Sequence, residues 1–133
     1  MPETALADGD AVRRSVTVPK EARMFVREVL SQQCDQAIDT AELLVSELVT
    51  NARRHGGTEV VEVKVRVRDG RALLAVFDPS PELPRVRQVD PNTVGGRGLL
   101  LVERLAHQWG VDPTDSGKNV WVELSCDGHV DTE

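Results

Sequence analysis

The sequence predicts a single α+β domain, a two-layer sandwich in which helices pack on one face of a mixed, mostly antiparallel sheet. In three segments apolar residues recur every three or four positions, which indicates amphipathic helices with one buried stripe. In other segments apolar and polar residues alternate, and turn signals separate consecutive segments of this kind, which indicates antiparallel strands. A chain of 133 residues is long enough for one such domain with a hydrophobic core.

The elements are predicted in the order strand, helix, helix, hairpin, long loop, helix, strand, strand. The predicted strands are 15–18, 61–67, 73–77, a strand beginning at 109, and 120–126. The predicted helices are one that follows Pro19, one from about Ala37 to His55, and one from Leu99 to Ala106. The turn signals are Gly56-Gly57, which ends the second helix, Asp69-Gly70 in the hairpin, and Asp115-Ser116-Gly117.

The segment 79–97 differs from the rest of the chain in composition. Its prolines at positions 79, 81, 84 and 91 exclude regular helix and central strand. A loop this long inside a small domain is typical of a lid or a binding loop. The termini, 1–12 and 127–133, are polar and without periodicity, so we expect them to be disordered, with the folded domain spanning 13–126.

Composition excludes several classes of function. A net charge of −6 and an aromatic content of 3% argue against direct nucleic-acid binding, which uses basic surfaces and stacking aromatic side chains. No run of about 18 apolar residues is present, which predicts no membrane span. Residues 1–5 lack the basic and apolar regions of a signal peptide, so a cytoplasmic location is expected.

The cysteines and histidines carry no metal-ligand spacing. Cys34 and Cys126 are far apart and outside any C-x-x-C motif, and we expect two reduced thiols, with a disulfide as the open alternative. His107 and His129 have no partner at a suitable spacing, so no transition-metal site is expected.

The second predicted helix has polar residues along the edge of its apolar stripe. Glu47, Asn51 and His55 follow one another at intervals of four, with Asn51 just outside the apolar arc and His55 just inside it. An Asn carbonyl oxygen is a suitable Mg²⁺ ligand, and a Glu one turn earlier could deprotonate a hydroxyl or water. The alternative is a helix end at which Asn51 and His55 satisfy carbonyl groups and Glu47 pairs with Arg54.

Two further candidate functional segments follow along the chain. Asp78 ends a buried strand, where its carboxylate could accept a hydrogen bond from a purine amino group or could simply cap a turn. Gly95-Gly96-Arg97-Gly98 precedes the third helix, where glycine N–H groups, the helix N-terminus and an Arg suit phosphate. The alternative for this segment is a flexible hinge with an exposed arginine.

These three candidate segments occur in the same order as in the nucleotide-binding domain shared by gyrase, histidine kinases and the MutL repair proteins. The chain therefore resembles that domain, which is called the GHKL or Bergerat fold. The segments Ser46-Glu47-Leu48-Val49-Thr50-Asn51-Ala52-Arg53-Arg54-His55 and Gly95-Gly96-Arg97-Gly98-Leu99-Leu100-Leu101-Val102 are most similar to the anti-sigma-factor serine/threonine kinases and their standalone actinobacterial relatives. The resemblance extends over about residues 15–125.

The resemblance implies an ATP–Mg²⁺-binding regulatory kinase that holds a sigma factor and phosphorylates an antagonist protein, in some relatives as a homodimer. It assigns Glu47 as general base and Asn51 as Mg²⁺ ligand, with His55 in support. Asp78 would bind the adenine amino group. Gly96, Arg97, Gly98 and Leu99 would close over the phosphates. The alternative function is a non-catalytic module in which ATP only orders the lid for a partner; a third is a relative that binds no nucleotide.

Two departures from the family pattern bear on these roles. The usual D-x-G-x-G is Asp78-Pro79-Ser80-Pro81-Glu82 here, without either glycine. Many relatives carry a Thr after the Gly of the last turn, near the adenine, whereas this chain has Gly117-Lys118-Asn119. Asn119 is the residue we expect to supply the polar contact.

Overall fold

The computed structural model of the chain describes residues 11–79 and 98–127. Its strands are β1 (Val12–Val16), β2 (Val61–Arg68), β3 (Arg71–Asp78), β4 (Gln108–Thr114) and β5 (Gly117–Ser125). Its helices are α1 (Pro19–Leu30), α2 (Ile38–Gly56) and α3 (Gly98–Leu105), and a 3-10 turn, Asp35–Ala37, leads into α2. The predicted order of elements is confirmed, whereas the predicted loop 79–97 lies outside the described residues except for its first residue.

The five strands form one sheet in the order β1-β2-β3-β5-β4, with β3 at its centre. All four described pairings are antiparallel, so the parallel pairing implied by a mixed sheet is not found in the described residues. The β2–β3 turn has positive φ at Asp69 (+53°) and Gly70 (+76°), as a two-residue type I′ hairpin requires. The hairpin predicted from Asp69-Gly70 is therefore confirmed.

The start of α1 explains why β1 ends earlier than predicted. The Glu21 carboxylate accepts hydrogen bonds from the Thr17 backbone N–H (2.7 Å) and hydroxyl (3.0 Å), and these bonds lower the pKa of Glu21. Pro19 is the first residue of α1, where its fixed φ suits the helix. Because the Thr17 N–H is taken by Glu21, β1 ends at Val16 and does not reach Val18 as predicted.

Helix α2 buries the apolar stripe that its sequence predicts. The fully or nearly fully buried residues of α2 are Ile38, Ala41, Leu44, Val45, Leu48, Val49 and Ala52. The helix ends where Gly57 adopts a left-handed conformation (φ +67°), which a residue without a side chain adopts at little cost. This stripe packs mainly against α1, β3 and α3.

The sheet has one face toward the helices and one away from them. Val63, Leu74 and Val122 lie on the helix face and belong to the core. On the opposite face the Trp121 ring lies against Gly110, where an added Cβ would come within 2.6 Å of the ring. Leu73 is buried on that face too, so β3 is buried on both sides, as its continuous apolar run predicts.

The two cysteines form a disulfide, so the expectation of two reduced thiols was wrong. Cys34 follows α1 and Cys126 follows β5; their Cα atoms are 4.7 Å apart although the residues are 92 positions apart in sequence. The Cys126 N–H donates a hydrogen bond to the Gly70 carbonyl (2.8 Å), which fixes the end of β5 beside the β2–β3 turn. The fold therefore creates a proximity that cysteine spacing cannot reveal.

None of the helices described in residues 11–79 and 98–127 is both long and apolar enough to span a membrane.

The disulfide gives a prediction about stability. The double variant Cys34→Ala, Cys126→Ser is expected to lower the free energy of unfolding by about 4 kcal/mol, because the cross-link restricts a long loop in the unfolded chain. Urea unfolding with and without a reductant measures this. Reductant should lower the midpoint of the wild type and leave the variant unchanged; equal midpoints for oxidised and reduced wild type would contradict the prediction.

Candidate functional site

The site begins on one flank of α2. Glu47 and Asn51 lie one turn apart beside the buried stripe, and both are half-buried. Asn51 Oδ1 is buried and has no hydrogen-bond partner among the described residues. A buried carbonyl oxygen without a partner costs about 1–3 kcal/mol, and a cation would remove this cost by accepting its lone pairs.

One part of the alternative interpretation of this helix end, the Glu47–Arg54 pair, can be compared with the structure. Glu47 has no ion-pair partner among the described residues, so the Glu47–Arg54 pair is not formed there. His55 is exposed, although the periodicity places it just inside the apolar arc, because α2 ends one residue later and nothing described covers its last turn on that side. Its role in support of the site stays a prediction.

The last turn of α2 lies against the end of β3. A Cβ added at Gly56 would come within 2.7 Å of Asp78 Oδ1 and 2.8 Å of Pro79 Cδ, so only glycine fits without displacing one of them. This contact brings the carboxylate of Asp78 to the same end of the molecule as α2's polar flank. Asp78 therefore lies in a buried position under the end of the helix.

Asp78 is bound by a lysine that the sequence analysis did not identify. Lys118 Nζ is 3.2 Å from Asp78 Oδ2, and the side chains are only 4% and 6% exposed for Lys118 and Asp78, respectively. The two residues are direct cross-strand partners of β3 and β5. Lys118 is in phase with Val120 and Val122, so the strand periodicity does signal that it faces the core.

Asn119, the residue expected to make the polar contact, is not brought to this carboxylate. Its cross-strand partner is Phe77, and successive side chains of a strand point to opposite faces. Asn119 therefore lies on the sheet face away from the helices, whereas the neighbouring Lys118 contacts Asp78. Gly117 packs directly on the backbone of Asp78 and Pro79, which holds the start of β5 against the end of β3.

The segment that the sequence predicts to bind phosphate is described only in part. Gly98 and Leu99 form the first residues of α3, and α3 packs against α2. The junction thus places a helix N-terminus in the chain where the glycine pattern predicts one. Gly96 and Arg97 lie outside the described residues, and their roles stay predictions.

The described residues fit a metal that needs few protein ligands. They contain no group of three or more His, Cys, Asp and Glu side chains able to hold a metal ion. Mg²⁺ takes only one or two protein oxygens when phosphates supply other ligands. Asn51, with its unpartnered buried oxygen, fits this role.

Comparisons with known proteins bear on the family and the fold of the chain. The protein-family model of the histidine kinase-like ATPase domain matches residues 13–124 of this chain. The histidine kinase domain of a blue-light-activated histidine kinase from Erythrobacter litoralis is similar in structure, with a TM-score of 0.53 at 20% identity. That match covers 82% of this chain and 59% of the kinase domain, and at this identity it shows the fold alone. No curated protein matches the chain.

A family match over residues 13–124 includes the whole of α2, the Asp78–Lys118 pair and all five described strands except the first residue of β1 and the last residue of β5. The likeness in structure independently gives the same α+β fold. The chain therefore belongs to the histidine kinase-like ATPase domain family.

Proposed function

We propose that the protein is an ATP–Mg²⁺-binding regulatory kinase of the anti-sigma type. It holds a sigma factor and transfers the γ-phosphate of ATP to a serine or threonine of an antagonist protein, in the cytoplasm. Membership of an ATPase domain family supports the nucleotide, and the resemblance of the segments around Glu47 and Gly98 supports the anti-sigma subtype. A homodimer is part of the proposal because such relatives form one.

The observation that carries the proposal is the state of the α2 flank. Glu47 has no ion-pair partner and Asn51 Oδ1 has no hydrogen-bond partner among the described residues, although both are half-buried. A buried polar atom such as Asn51 Oδ1 is normally paired, so its lack of a partner calls for an explanation. Glu47 and Asn51 lie one turn apart on the same flank, which suits a general base next to a metal ligand.

The proposed chemistry assigns a separate task to each side chain. The Glu47 carboxylate takes the proton of the acceptor hydroxyl as its oxygen forms a bond to the γ-phosphorus. The bond from that phosphorus to the oxygen of ADP breaks, and ADP leaves with the electron pair. Arg97 neutralises negative charge that develops on the γ-phosphoryl group. Asn51 would hold Mg²⁺, which supplies positive charge to the triphosphate when bound.

One feature favours a second candidate, a non-catalytic module in which ATP orders the lid for a partner. The family's two glycines after the Asp are absent here, and Pro79, the residue after Asp78, is packed against Gly56 and Gly117. A stiff root restricts how the following segment closes over the nucleotide. Under this candidate the protein forms an ATP-dependent complex with its partner and transfers no label from γ-labelled ATP.

Removal of the proposed base separates the two candidates. Glu47→Gln is expected to lower label transfer from γ-labelled ATP to proteins of its own cell extract by about 100-fold or more, because general-base catalysis contributes at least that factor. ATP affinity, measured by calorimetry, should change little because the γ-phosphate remains bound by other groups.

Glu42→Gln is the matched control, since Glu42 lies on the same helix but pairs with Arg27 (2.7 Å) on the surface. It should transfer label at the wild-type rate and lose at most about 1 kcal/mol of stability. Transfer by Glu47→Gln at the wild-type rate would show that the base is assigned to the wrong residue.

Replacement of Asn51 should separate binding from stability. Asn51→Leu is expected to abolish the part of ATP affinity that depends on Mg²⁺, measured as the ratio of affinities with Mg²⁺ and with EDTA. Its free energy of unfolding should stay the same or rise, because an apolar group of similar shape replaces a buried oxygen without a partner. If the variant unfolds more easily but keeps the wild-type ratio of ATP affinities with Mg²⁺ and with EDTA, Asn51 has a structural role and is not the metal ligand.

A further inference from the structure

The disulfide between Cys34 and Cys126 lies at the end of the fold away from the candidate site. Cys34 is in the connection between α1 and α2, and Cys126 follows β5. Helix α2 has 19 residues, so its first turn and Gly56 are about 28 Å apart. No step of the proposed phosphoryl transfer involves either sulfur atom.

The two halves of the disulfide differ in their access to solvent. Cys34 is only 2% exposed and belongs to the core, whereas Cys126 is partly exposed and packs at the edge of the core. Gly70 and Asp127, which lie next to Cys126, are both exposed. A thiol opens a disulfide by attack of its thiolate on one of the two sulfur atoms. In the folded protein the sulfur of Cys126 is therefore the one that a dissolved thiol reaches.

Each half is also held by hydrogen bonds that do not involve sulfur. The Cys34 N–H donates to the Leu30 carbonyl (2.7 Å), and the Ala37 N–H donates to the Cys34 carbonyl (3.1 Å). The Cys126 N–H donates to the Gly70 carbonyl (2.8 Å). Because these bonds remain when the S–S bond opens, reduction separates the α1–α2 connection from the end of β5 while each keeps its local structure.

We propose that Cys34–Cys126 is a redox-responsive cross-link, which thiols open in the folded protein by exchange at Cys126 and disulfide oxidants close again. The thiolate of the reductant bonds to Cys126 Sγ, the protein S–S bond breaks, and Cys34 leaves as a thiolate that takes up a proton. A second thiolate then attacks the reductant's sulfur and releases Cys126. Two reductant thiols become one disulfide, and the protein disulfide becomes two thiols.

The output of this cross-link is the fraction of chains that are folded. Closing a loop between residues 92 positions apart changes the ratio of folded to unfolded chains by about 1,000-fold. Oxidising conditions thus lower the fraction of unfolded chains, and reducing conditions raise it. Cytoplasmic disulfides are usually transient or redox-sensing. The inference uses the cytoplasmic location proposed above, whereas neither ATP nor a partner protein enters it.

The first test measures how fast dithiothreitol releases free thiols from the oxidised wild type in buffer without denaturant. The rate is expected to rise in proportion to the dithiothreitol concentration, because the reductant attacks the folded protein directly. The rate of global unfolding is obtained from urea-jump experiments extrapolated to zero urea. A reduction rate that levels off at this value overturns the proposal, because the bond would then be reached only in the unfolded chain.

The second test asks which sulfur reacts. After a short exposure of the oxidised wild type to glutathione and a quench with N-ethylmaleimide, peptide mass mapping should find glutathione on Cys126 and the alkyl group on Cys34. The matched variants Cys34→Ser and Cys126→Ser both lack the cross-link. With oxidised glutathione, Cys34→Ser should form its mixed disulfide at least about 10-fold faster. Glutathione on Cys34 of the wild type, or equal rates for the two variants, overturns the proposal.

The third test asks whether the reduced protein is folded but less stable. Its near-UV circular dichroism should equal that of the oxidised form, and oxidised glutathione should restore the bond. The ratio of unfolded to folded chains, extrapolated from urea to buffer, should rise about 1,000-fold on reduction. Loss of the near-UV signal on reduction, or an unchanged ratio, overturns the proposal. Protein that binds no ATP in either form contradicts the proposed function and leaves this inference intact.

Discussion

The close contact between the end of α2 and the end of β3 is the constraint on which the site depends. Gly56 permits it, because any side chain there would collide with Asp78 or Pro79. The burial of α2's apolar stripe fixes the rotation of the helix about its axis, and the contact at Gly56 fixes its position along the sheet. Because the rotation of α2 and its position along the sheet are both fixed, the flank that carries Glu47 and Asn51 can face only one way relative to the sheet.

The local parts of this arrangement could be predicted from the sequence, because each rests on a short-range pattern. The stripe of α2, the alternation in β2 and the Asp69-Gly70 turn were all predicted and are confirmed. The end of β1 was placed two residues late, because the competing bond from the Thr17 N–H to Glu21 has no signature in strand periodicity.

The long-range pairings could not be predicted in this way. Cys34 and Cys126 meet only because the whole sheet places the end of β5 beside the β2–β3 turn. Lys118 is a different case, since its phase with Val120 and Val122 was visible in the sequence. A lysine at a core-facing position carries a buried cation that needs an anion, and the strand register then selects Asp78.

An unpartnered buried atom is not by itself evidence of a ligand site. Arg53 Nε, Asp112 Oδ2 and Trp121 Nε1 also lack hydrogen-bond partners among the described residues. Arg53 lies on the flank of α2 opposite Asn51, and Trp121 lies on the sheet face away from the helices. Asn51 differs from them because Glu47, which has no ion-pair partner in the described part of the chain, lies one turn away on the same flank.

Stability alone does not account for the ion pair of Asp78 and Lys118. Burial removes the hydration of two charges, and their mutual attraction offsets this loss only when the geometry is good, so an apolar pair of similar volume is often at least as stable. A hydroxyl at position 118 would satisfy the Asp78 carboxylate without the burial of a second charge. What the lysine adds is a fixed polarity, an acceptor beside a donor, at the end of the central strand. The pair joins the end of β3 to the start of β5, where Gly117 also packs on the backbone of Asp78.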